Sequence, residues 1–243
     1  MAHTIALAGN PNTGKSTLFN LLTGLKQHTG NWPGKTVLRA EGELKTEKHV
    51  YTVIDLPGTY SLYSNSADEE VARDYIIFEK PDITLVVVDA TSLERNLNIA
   101  LQVLEMTDQA ILCVNLIDEA RKKGMHIDKD ALSKQLGIPV ILISAREKIG
   151  IIQLLKTIDQ MTEGKIETQA FKIKYNQTVE KKIKQLEPQI KQIIGNALPA
   201  RWVALRILDG DIKLLDSLKS YIQNPDFAAE KHQPAQGGCC HGA

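Results

Sequence analysis

The stretch Gly9-Asn10-Pro11-Asn12-Thr13-Gly14-Lys15-Ser16 decides the fold class of this chain. It fits the pattern G-x-x-x-x-G-K-[ST] and lies between a strand predicted over residues 4–8 and a helix predicted over residues 15–22. In such a loop the backbone N–H groups and the helix N-terminus hold phosphates, the lysine reaches the β- and γ-phosphates, and the Ser/Thr hydroxyl binds Mg²⁺. The residues predicted to contact the phosphates are Asn10, Asn12, Thr13, Gly14, Lys15, Ser16 and Thr17.

The composition is that of an ordinary globular protein and argues against several classes. Of 243 residues, 43% are hydrophobic and 24% are charged, with 29 basic and 29 acidic residues. Because the net charge is zero, we expect no nucleic-acid partner. No apolar run approaches the ~18 residues of a membrane span, and the N-terminus is unlike a signal peptide. Three cysteines make no disulfide framework, which indicates a reducing, cytosolic compartment.

Short apolar runs alternate with amphipathic stretches over the first two thirds of the chain. Strands are predicted over residues 4–8, 50–56, 83–89, 110–116 and 140–143, and helices over residues 69–78, 94–106, 130–136 and 149–161. This alternation predicts an α/β domain whose mostly parallel sheet is covered on both faces. Residues 39–44 and 49–53 are predicted to pair as an antiparallel hairpin.

The composition changes near residue 164, where the apolar strand-like runs end. Helical spacing follows in an apolar face formed by Val179, Ile183, Leu186, Ile190 and Ile193, which Pro188 is expected to kink or split. Two more helices are predicted, one from Pro199 to Gly210 and one over residues 212–222. We therefore predict an α/β domain over residues 1–165, a small all-α domain over residues 166–227 and a flexible tail over residues 228–243.

Three more motifs follow predicted strands in the order expected of a guanine-nucleotide domain. Asp55-Leu56-Pro57-Gly58 offers a carboxylate for Mg²⁺, through water, and a glycine N–H that senses the γ-phosphate. Asn115-Leu116-Ile117-Asp118 offers a carboxylate that accepts hydrogen bonds from N1 and N2 of guanine. Ser144-Ala145-Arg146 offers a backbone N–H for guanine O6. Each motif is weak alone, but open α/β sheets bind ligands at the carboxyl ends of their strands, so the order predicts a P-loop GTPase fold that binds GTP or GDP.

A Gly- and Pro-rich segment over residues 27–36 lies between the phosphate-binding loop and Asp55. Thr36 is the candidate for a switch threonine that binds Mg²⁺ when GTP is present. Considered alone, the same residues fit a plain turn with an exposed tryptophan.

These motifs resemble a known family. The loop at residues 9–16, the block Gly30-Asn31-Trp32-Pro33-Gly34 with Thr36, and Asp55-Leu56-Pro57-Gly58-Thr59-Tyr60-Ser61-Leu62 are similar to the N-terminal cytosolic G domain of the bacterial ferrous iron transporter FeoB. Pro199-Ala200-Arg201-Trp202-Val203-Ala204-Leu205 and Leu208-Asp209-Gly210-Asp211 resemble the helical domain that follows in that family. The resemblance covers roughly residues 3–225. Lys35 departs from it, since the family usually has an apolar residue there.

The resemblance implies a GTP-binding and GTP-hydrolysing module of ferrous iron uptake. Its partners would be a guanine nucleotide and the membrane permease domain of the same full-length protein, at the cytoplasmic face of the bacterial inner membrane. This chain is then expected to be a soluble fragment without the permease. Whether it forms a homo-oligomer stays open.

Thr59 stands where many small GTPases have a glutamine that orients the attacking water. Because that glutamine is absent, we expect backbone groups of the switch around Lys35 and Thr36 to hold the water and K⁺ to supply the missing charge, with slow, potassium-stimulated hydrolysis. In related GTPases an asparagine at the position of Asn12 binds K⁺; the alternative is that Asn12 only stabilises the loop. The residues expected to act in catalysis are Lys15, Thr36, Asn12 and Gly58. The expected Mg²⁺ ligands are Ser16, Thr36 and Asp55, and the expected K⁺ ligands are Asn12, Gly30 and Trp32.

Two other functions fit the same loop. A ribosome- or tRNA-associated GTPase would need a basic RNA-binding domain, and none is visible in the sequence. A non-hydrolysing binding switch would be distinguished by a phosphate-release assay. Cys239-Cys240-His241 offers the right ligand types for a metal, although a Gly-rich tail gives them no rigid frame.

Overall fold

A computed structural model describes residues 3–24, 27–32, 35–63 and 66–223. In this part of the chain seven strands form one sheet in the order β2-β3-β4-β1-β5-β6-β7. The strands are β1 (His3–Gly9), β2 (Gln27–Asn31), β3 (Leu38–Lys45), β4 (Val50–Asp55), β5 (Ile83–Asp89), β6 (Ala110–Asn115) and β7 (Val140–Leu142). β1 and β4 to β7 are parallel, whereas β2 and β3 are antiparallel to their neighbours. The predicted α/β fold and the predicted hairpin, now β3 and β4, are confirmed.

Helices follow most of the parallel strands, and three more close the described chain. They are α1 (Lys15–Thr23), α2 (Ala67–Asp74), α3 (Leu93–Met106), α4 (Ile117–Lys122), α5 (Lys129–Leu136), α6 (Ile151–Thr162), α7 (Gln177–Ile194), α8 (Ala200–Asp209) and α9 (Ile212–Gln223). A π-helical turn, Tyr75–Glu79, continues α2, and a 3₁₀ turn, Ala90–Ser92, precedes α3.

The two faces of the sheet are buried in separate hydrophobic clusters, because successive side chains of a strand point to opposite faces. On β1, Ala6 and Ala8 belong to the cluster that includes α2 and α3, whereas Ile5 and Leu7 belong to the cluster that includes α1 and α6. The helical domain joins the first cluster through residues such as Trp202, which is 4% exposed. Trp202 therefore lies in the core.

Four elements differ from the sequence-based prediction. The short helix α4, which directly follows Asn115, is absent from that prediction. Residues 27–31 form β2, although their polar side chains give no strand pattern. The helix predicted over residues 69–78 is α2 followed by the π-helical turn. Pro188 does not split α7, because Ile183 and Ile190 on either side of it are both buried against the core and hold the helix together. The tail at residues 228–243, with Cys239-Cys240-His241, lies outside the described residues.

None of the helices in the described ranges is long and apolar enough to cross a membrane.

Candidate functional site

The loop between β1 and α1 forms one wall of a cavity of about 460 Å³. The cavity is lined by Asn10, Pro11, Asn12, Gly14, Lys15, Ser16, Thr17 and Gly58. Asn12 and Gly14 adopt left-handed backbone conformations, with φ of 64° and 79°. A Cβ at Gly14 would lie 2.4 Å from the amide nitrogen of Asn115, so only glycine fits there. The N-terminus of α1 opens onto this loop, which makes the cavity suited to an anion.

Lys15 is held by the carboxyl end of β4. Lys15 is 8% exposed. Its Nζ contacts Asp55 Oδ1 and donates to the Leu56 carbonyl at 2.5 Å. The hydroxyl of Ser16 lies 3.3 Å from Asp55 Oδ2. The lysine charge is thus met by a carboxylate that a bound phosphate would replace. Ser16 and Asp55 are hard oxygen ligands of the kind that Mg²⁺ takes, and they already lie together, so this pair fits the metal.

Asn115 joins the phosphate end of the site to the base end. It is 1% exposed; its Nδ2 donates to the Thr13 carbonyl at 2.9 Å, and its Oδ1 accepts from the Ala145 N–H at 3.0 Å. Both the nitrogen and the oxygen of its side-chain amide are therefore hydrogen-bonded within the protein. Asn115 fixes the spacing of two loops, a role that its motif alone does not reveal.

Asp118 lies in the first turn of α4, just after Leu116 turns the backbone with a φ of 62°. A hydrogen bond from the Ser144 side chain lowers the pKa of Asp118 below its ordinary value, which keeps the carboxylate ionised. Its Oδ1 is buried and has no hydrogen-bond partner within the described chain. An ionised carboxylate with a free buried oxygen is an acceptor prepared for a donor such as the N–H groups of guanine. The Arg146 side chain, by contrast, is 81% exposed.

Gly58 packs directly against the phosphate-binding loop. A Cβ at this position would lie 3.2 Å from Pro11 Cα, and the next N–H, that of Thr59, donates to the Gly9 carbonyl at 3.2 Å. Thr59 is 4% exposed and its hydroxyl faces inward. Its side chain therefore does not reach the cavity. We refer to residues 56–63 as the switch II segment.

Residues 27–37 are called the switch I segment here, and the described part of it, residues 27–32 and 35–37, lines no part of the cavity. β2 is separated from β1 by β3 and β4, which at ~4.8 Å per strand is roughly 14 Å. The Trp32 carbonyl accepts from the Lys35 N–H at 3.0 Å, and Thr36 is exposed. The structure thus does not bring Gly30, Trp32 and Thr36 together with Asn12 and Ser16. Pro33 and Gly34 lie outside the described residues.

Trp32 anchors the switch I segment in the core. It is 1% exposed, and its Nε1 donates to the Leu38 carbonyl at 3.1 Å. Its ring stands edge-on to Tyr75, with centroids 5.4 Å apart, and the Arg39 guanidinium lies 5.1 Å from its centroid. The alternative of a plain turn with an exposed tryptophan is wrong.

Lys35 adds a second tie between the switch I segment and α2. Its Nζ lies 2.8 Å from Glu70 Oε2, with both side chains mostly buried. The sequence shows that Lys35 is unusual, and the structure supplies a partner for it.

Arg73 is a connecting residue that the sequence reasoning missed. It is 1% exposed on α2, and its guanidinium lies 2.7 Å from Asp74 and 3.2 Å from Asp211, the residue before α9. An arginine next to an aspartate within the mostly apolar run of residues 71–78 is the signal that marks it, because a buried arginine requires a carboxylate partner.

Two family models match the chain. The model for ferrous iron transport protein B matches residues 3–158, and the model for the FeoB cytosolic helical domain matches residues 175–235. The Fe(2+) transporter FeoB of Escherichia coli (strain K12) is 42% identical over 223 residues, which cover 86% of this chain. This chain spans 27% of the length of that relative.

The fold of this chain is similar to solved structures of cytosolic domains over nearly its whole length. The cytosolic domain of the T. maritima FeoB iron transporter in its apo form is 36% identical with a TM-score of 0.81, covering 98% of this chain and 89% of the other. The GDP form I of the same domain is 36% identical with a TM-score of 0.81, covering 98% and 88%. The cytosolic domain of L. pneumophila FeoB is 33% identical with a TM-score of 0.80, covering 94% and 91%.

Proposed function

The chain belongs to the ferrous iron transport protein B family, which is a GTPase family, and from that premise we propose that it binds GTP and GDP and hydrolyses GTP. The observation that carries this proposal is the ionised carboxylate of Asp118 with its one unpartnered oxygen, close to Asn115, which holds the phosphate-binding loop at a fixed spacing. A guanine nucleotide requires a loop that binds its phosphates and a carboxylate that binds its base, held at a fixed distance from each other.

Nucleotide binding begins with an exchange of partners at Lys15. The lysine leaves Asp55 for the β- and γ-phosphate oxygens, and the N–H groups at the start of α1 donate to the same phosphates. Asp55 and Ser16 would then be free to hold Mg²⁺. A bound Mg²⁺ would neutralise the charge that develops on the phosphates. Thr36 would join them only after the switch I segment moves.

Hydrolysis needs groups that this conformation keeps apart. Gly58, next to Pro11, offers a backbone N–H for the γ-phosphate, and Thr36 would orient water from the switch I segment. Thr59 is buried and takes no part. We propose that K⁺, held by Asn12 and by the carbonyls of Gly30 and Trp32 after that movement, supplies the charge that an arginine supplies elsewhere.

We propose further that the chain is the cytosolic, GTP-dependent part of a ferrous iron transporter. The α/β domain would span residues 1–165 and the helical domain residues 166–227; the two family models match residues 3–158 and 175–235, the second of which runs past the proposed end of the helical domain. Transport itself would require a permease domain at the cytoplasmic face of the bacterial inner membrane. A ribosome- or tRNA-associated role has no observation in its favour.

The test of the nucleotide assignment is the base preference of Asp118→Asn. An amide suits xanthine better than guanine, and the lost charge-assisted hydrogen bonds are worth about 1.5–3 kcal/mol each. We expect calorimetric titration to show weaker binding of GDP, stronger binding of XDP and no tight binding of ADP. Asp130→Asn, an exposed aspartate on α5, is the matched control and should change nothing. An unchanged preference between GDP and XDP would refute the role of Asp118.

A further inference from the structure

A second cavity, of about 190 Å³, also borders the phosphate-binding loop. It is enclosed by residues 10–13, by Tyr60 of the switch II segment and by the start of α3 with the strand end before it. Residues 10–12 line both cavities, whereas Tyr60, Asp89 and Asn96 line only this one and are not among the residues proposed to bind the nucleotide.

Two of the residues that line the cavity carry buried acceptor oxygens that lack donors. Asn96 is 5% exposed, and its Nδ2 donates to the Ser92 carbonyl at 2.8 Å, which leaves its Oδ1 as the free atom. Within the described residues, Oδ1 of Asn96 and Oδ1 of Asn10, a residue that is 3% exposed, have no hydrogen-bond partner. Asp89 also lines the cavity, with one carboxylate oxygen accepting from the Thr91 N–H at 2.7 Å. Unsatisfied buried acceptors beside a carboxylate favour a ligand that carries several N–H donors and a positive charge.

Arg95 is the residue on this wall that has those properties. A guanidinium carries five donors, no acceptor and a permanent charge. Here it stacks on Tyr60, with its carbon 5.0 Å from the ring centroid, and the described part of the chain gives it no carboxylate partner. Tyr60 is two residues from Gly58, so a movement of the switch II segment around a γ-phosphate would take away the ring on which Arg95 rests.

We propose that this cavity is a guanidinium site and that Arg95 enters it when a triphosphate is bound, donating to Asn10 and Asn96 beside Asp89. Arg95 is then a positioning residue: it fixes Asn10, and with it the loop whose N–H groups hold the phosphates, without touching the nucleotide. The inference rests on the proposed hydrolysis of GTP.

The first test is chemical rescue of Arg95→Ala. The kcat for GTP should fall about tenfold with KM within about twofold, since a positioning residue contributes less than the ~10³–10⁵ of an arginine at the phosphate. Guanidinium chloride at about 20 mM, far below the molar concentrations that unfold proteins, should restore most of the lost kcat, and equal NaCl should not. Arg121→Ala, on α4 and exposed, is the matched control. Wild-type kcat in Arg95→Ala, or a loss that guanidinium leaves untouched, overturns the proposal.

The second test does not depend on turnover. The side-chain Nε–Hε resonance of Arg95 in the full chain should exchange rapidly with GDP and become protected with a non-hydrolysable GTP analogue. Protection in a chain that fails to hydrolyse GTP would sustain the guanidinium site while refuting the proposed activity. Equal exchange in both states, in a chain that does hydrolyse GTP, would refute the site alone.

Discussion

At the scale of single residues, Lys15 shows how the site is kept ready without a ligand. A lysine with its charge buried would be strongly destabilising unless a carboxylate met it, and Asp55 does so here. Because Asp55 is also the expected Mg²⁺ ligand, nucleotide and metal binding release both partners at once. The loop motif predicts both roles, but it does not predict that the two residues neutralise each other first.

Asn12 carries the prediction on potassium. If a cation held by Asn12 replaces an arginine, hydrolysis should be faster in K⁺ than in the smaller Na⁺, by less than the ~10³–10⁵ that an arginine provides. Asn12→Ala should remove the difference and leave GDP affinity nearly unchanged, because the cation acts mainly on the transition state. The measurement is phosphate release in the two chloride salts.

A second variant separates the cation from backbone strain. Asn12 has a φ of 64°, where alanine is unfavourable and glycine is not, so Asn12→Gly should behave like Asn12→Ala. Asn98→Ala, on the exposed side of α3, should keep the full potassium effect. Equal rates in K⁺ and Na⁺ for the unmodified chain would end the potassium proposal without touching the nucleotide assignment.

At the scale of elements, the switch I segment is clamped by Trp32 against Tyr75 and by Lys35 against Glu70. Binding Thr36 to the metal requires both contacts to open. In a Trp202→Phe background Trp32 is the one remaining tryptophan, since the sequence has two. Its fluorescence emission should shift to longer wavelength with a GTP analogue and not with GDP. The reason is that Trp32, which is 1% exposed here, becomes exposed to solvent when the analogue binds. An unchanged spectrum with the analogue would show that Trp32 stays in place.

The Lys35–Glu70 pair sets how easily that clamp opens. Removing it with Lys35→Ala should favour the open form by up to about 1 kcal/mol, which is up to about fivefold tighter binding of the GTP analogue. GDP affinity should not change, because GDP does not require the open form. Lys45→Ala, which removes an exposed pair with Glu43 on the same strand, is the control. Tighter binding of GDP and the analogue alike would contradict a switch-specific effect.

The parts of these elements that the sequence predicts are those with local patterns. The apolar runs of β1, β5 and β6 and the motif residues at their ends follow from periodicity and spacing. β2 could not be predicted, because its polar side chains lie at a sheet edge and only the pairing with β3 makes it a strand. The burial of Trp32 likewise depends on Tyr75, which is 43 residues away in the sequence.

At the scale of the whole molecule, an acid-sensitive contact holds the start of α7 to α8. Hydrogen bonds from Arg201 lower the pKa of Glu180 from 4.5 to about 2. A depressed carboxyl pKa contributes stability that is full above pH 4.5 and is lost as the pH falls toward 2. The stability difference between the wild type and Glu180→Gln should therefore be constant at neutral pH and shrink below about pH 4.5 in urea titrations. Glu167→Gln, an exposed loop variant, should show no such narrowing.

Arg73 connects the α/β domain to the helical domain, because it pairs with Asp74 on its own helix and with Asp211 in the helical domain. Arg73→Met leaves the buried Asp74 and the partly buried Asp211 without their cation, which should cost about 3–5 kcal/mol of unfolding free energy. Asp211→Asn keeps the arginine paired with Asp74 and should cost about 1–2 kcal/mol, although it also weakens the cap that Asp211 gives to the Leu214 N–H. Lys219→Ala breaks an exposed pair with Asp216 and should stay within about 0.5 kcal/mol. The measurement is denaturant unfolding of the full chain. If Arg73→Met costs no more than Asp211→Asn, the buried carboxylates are not the reason for the loss, and the arginine contributes packing alone.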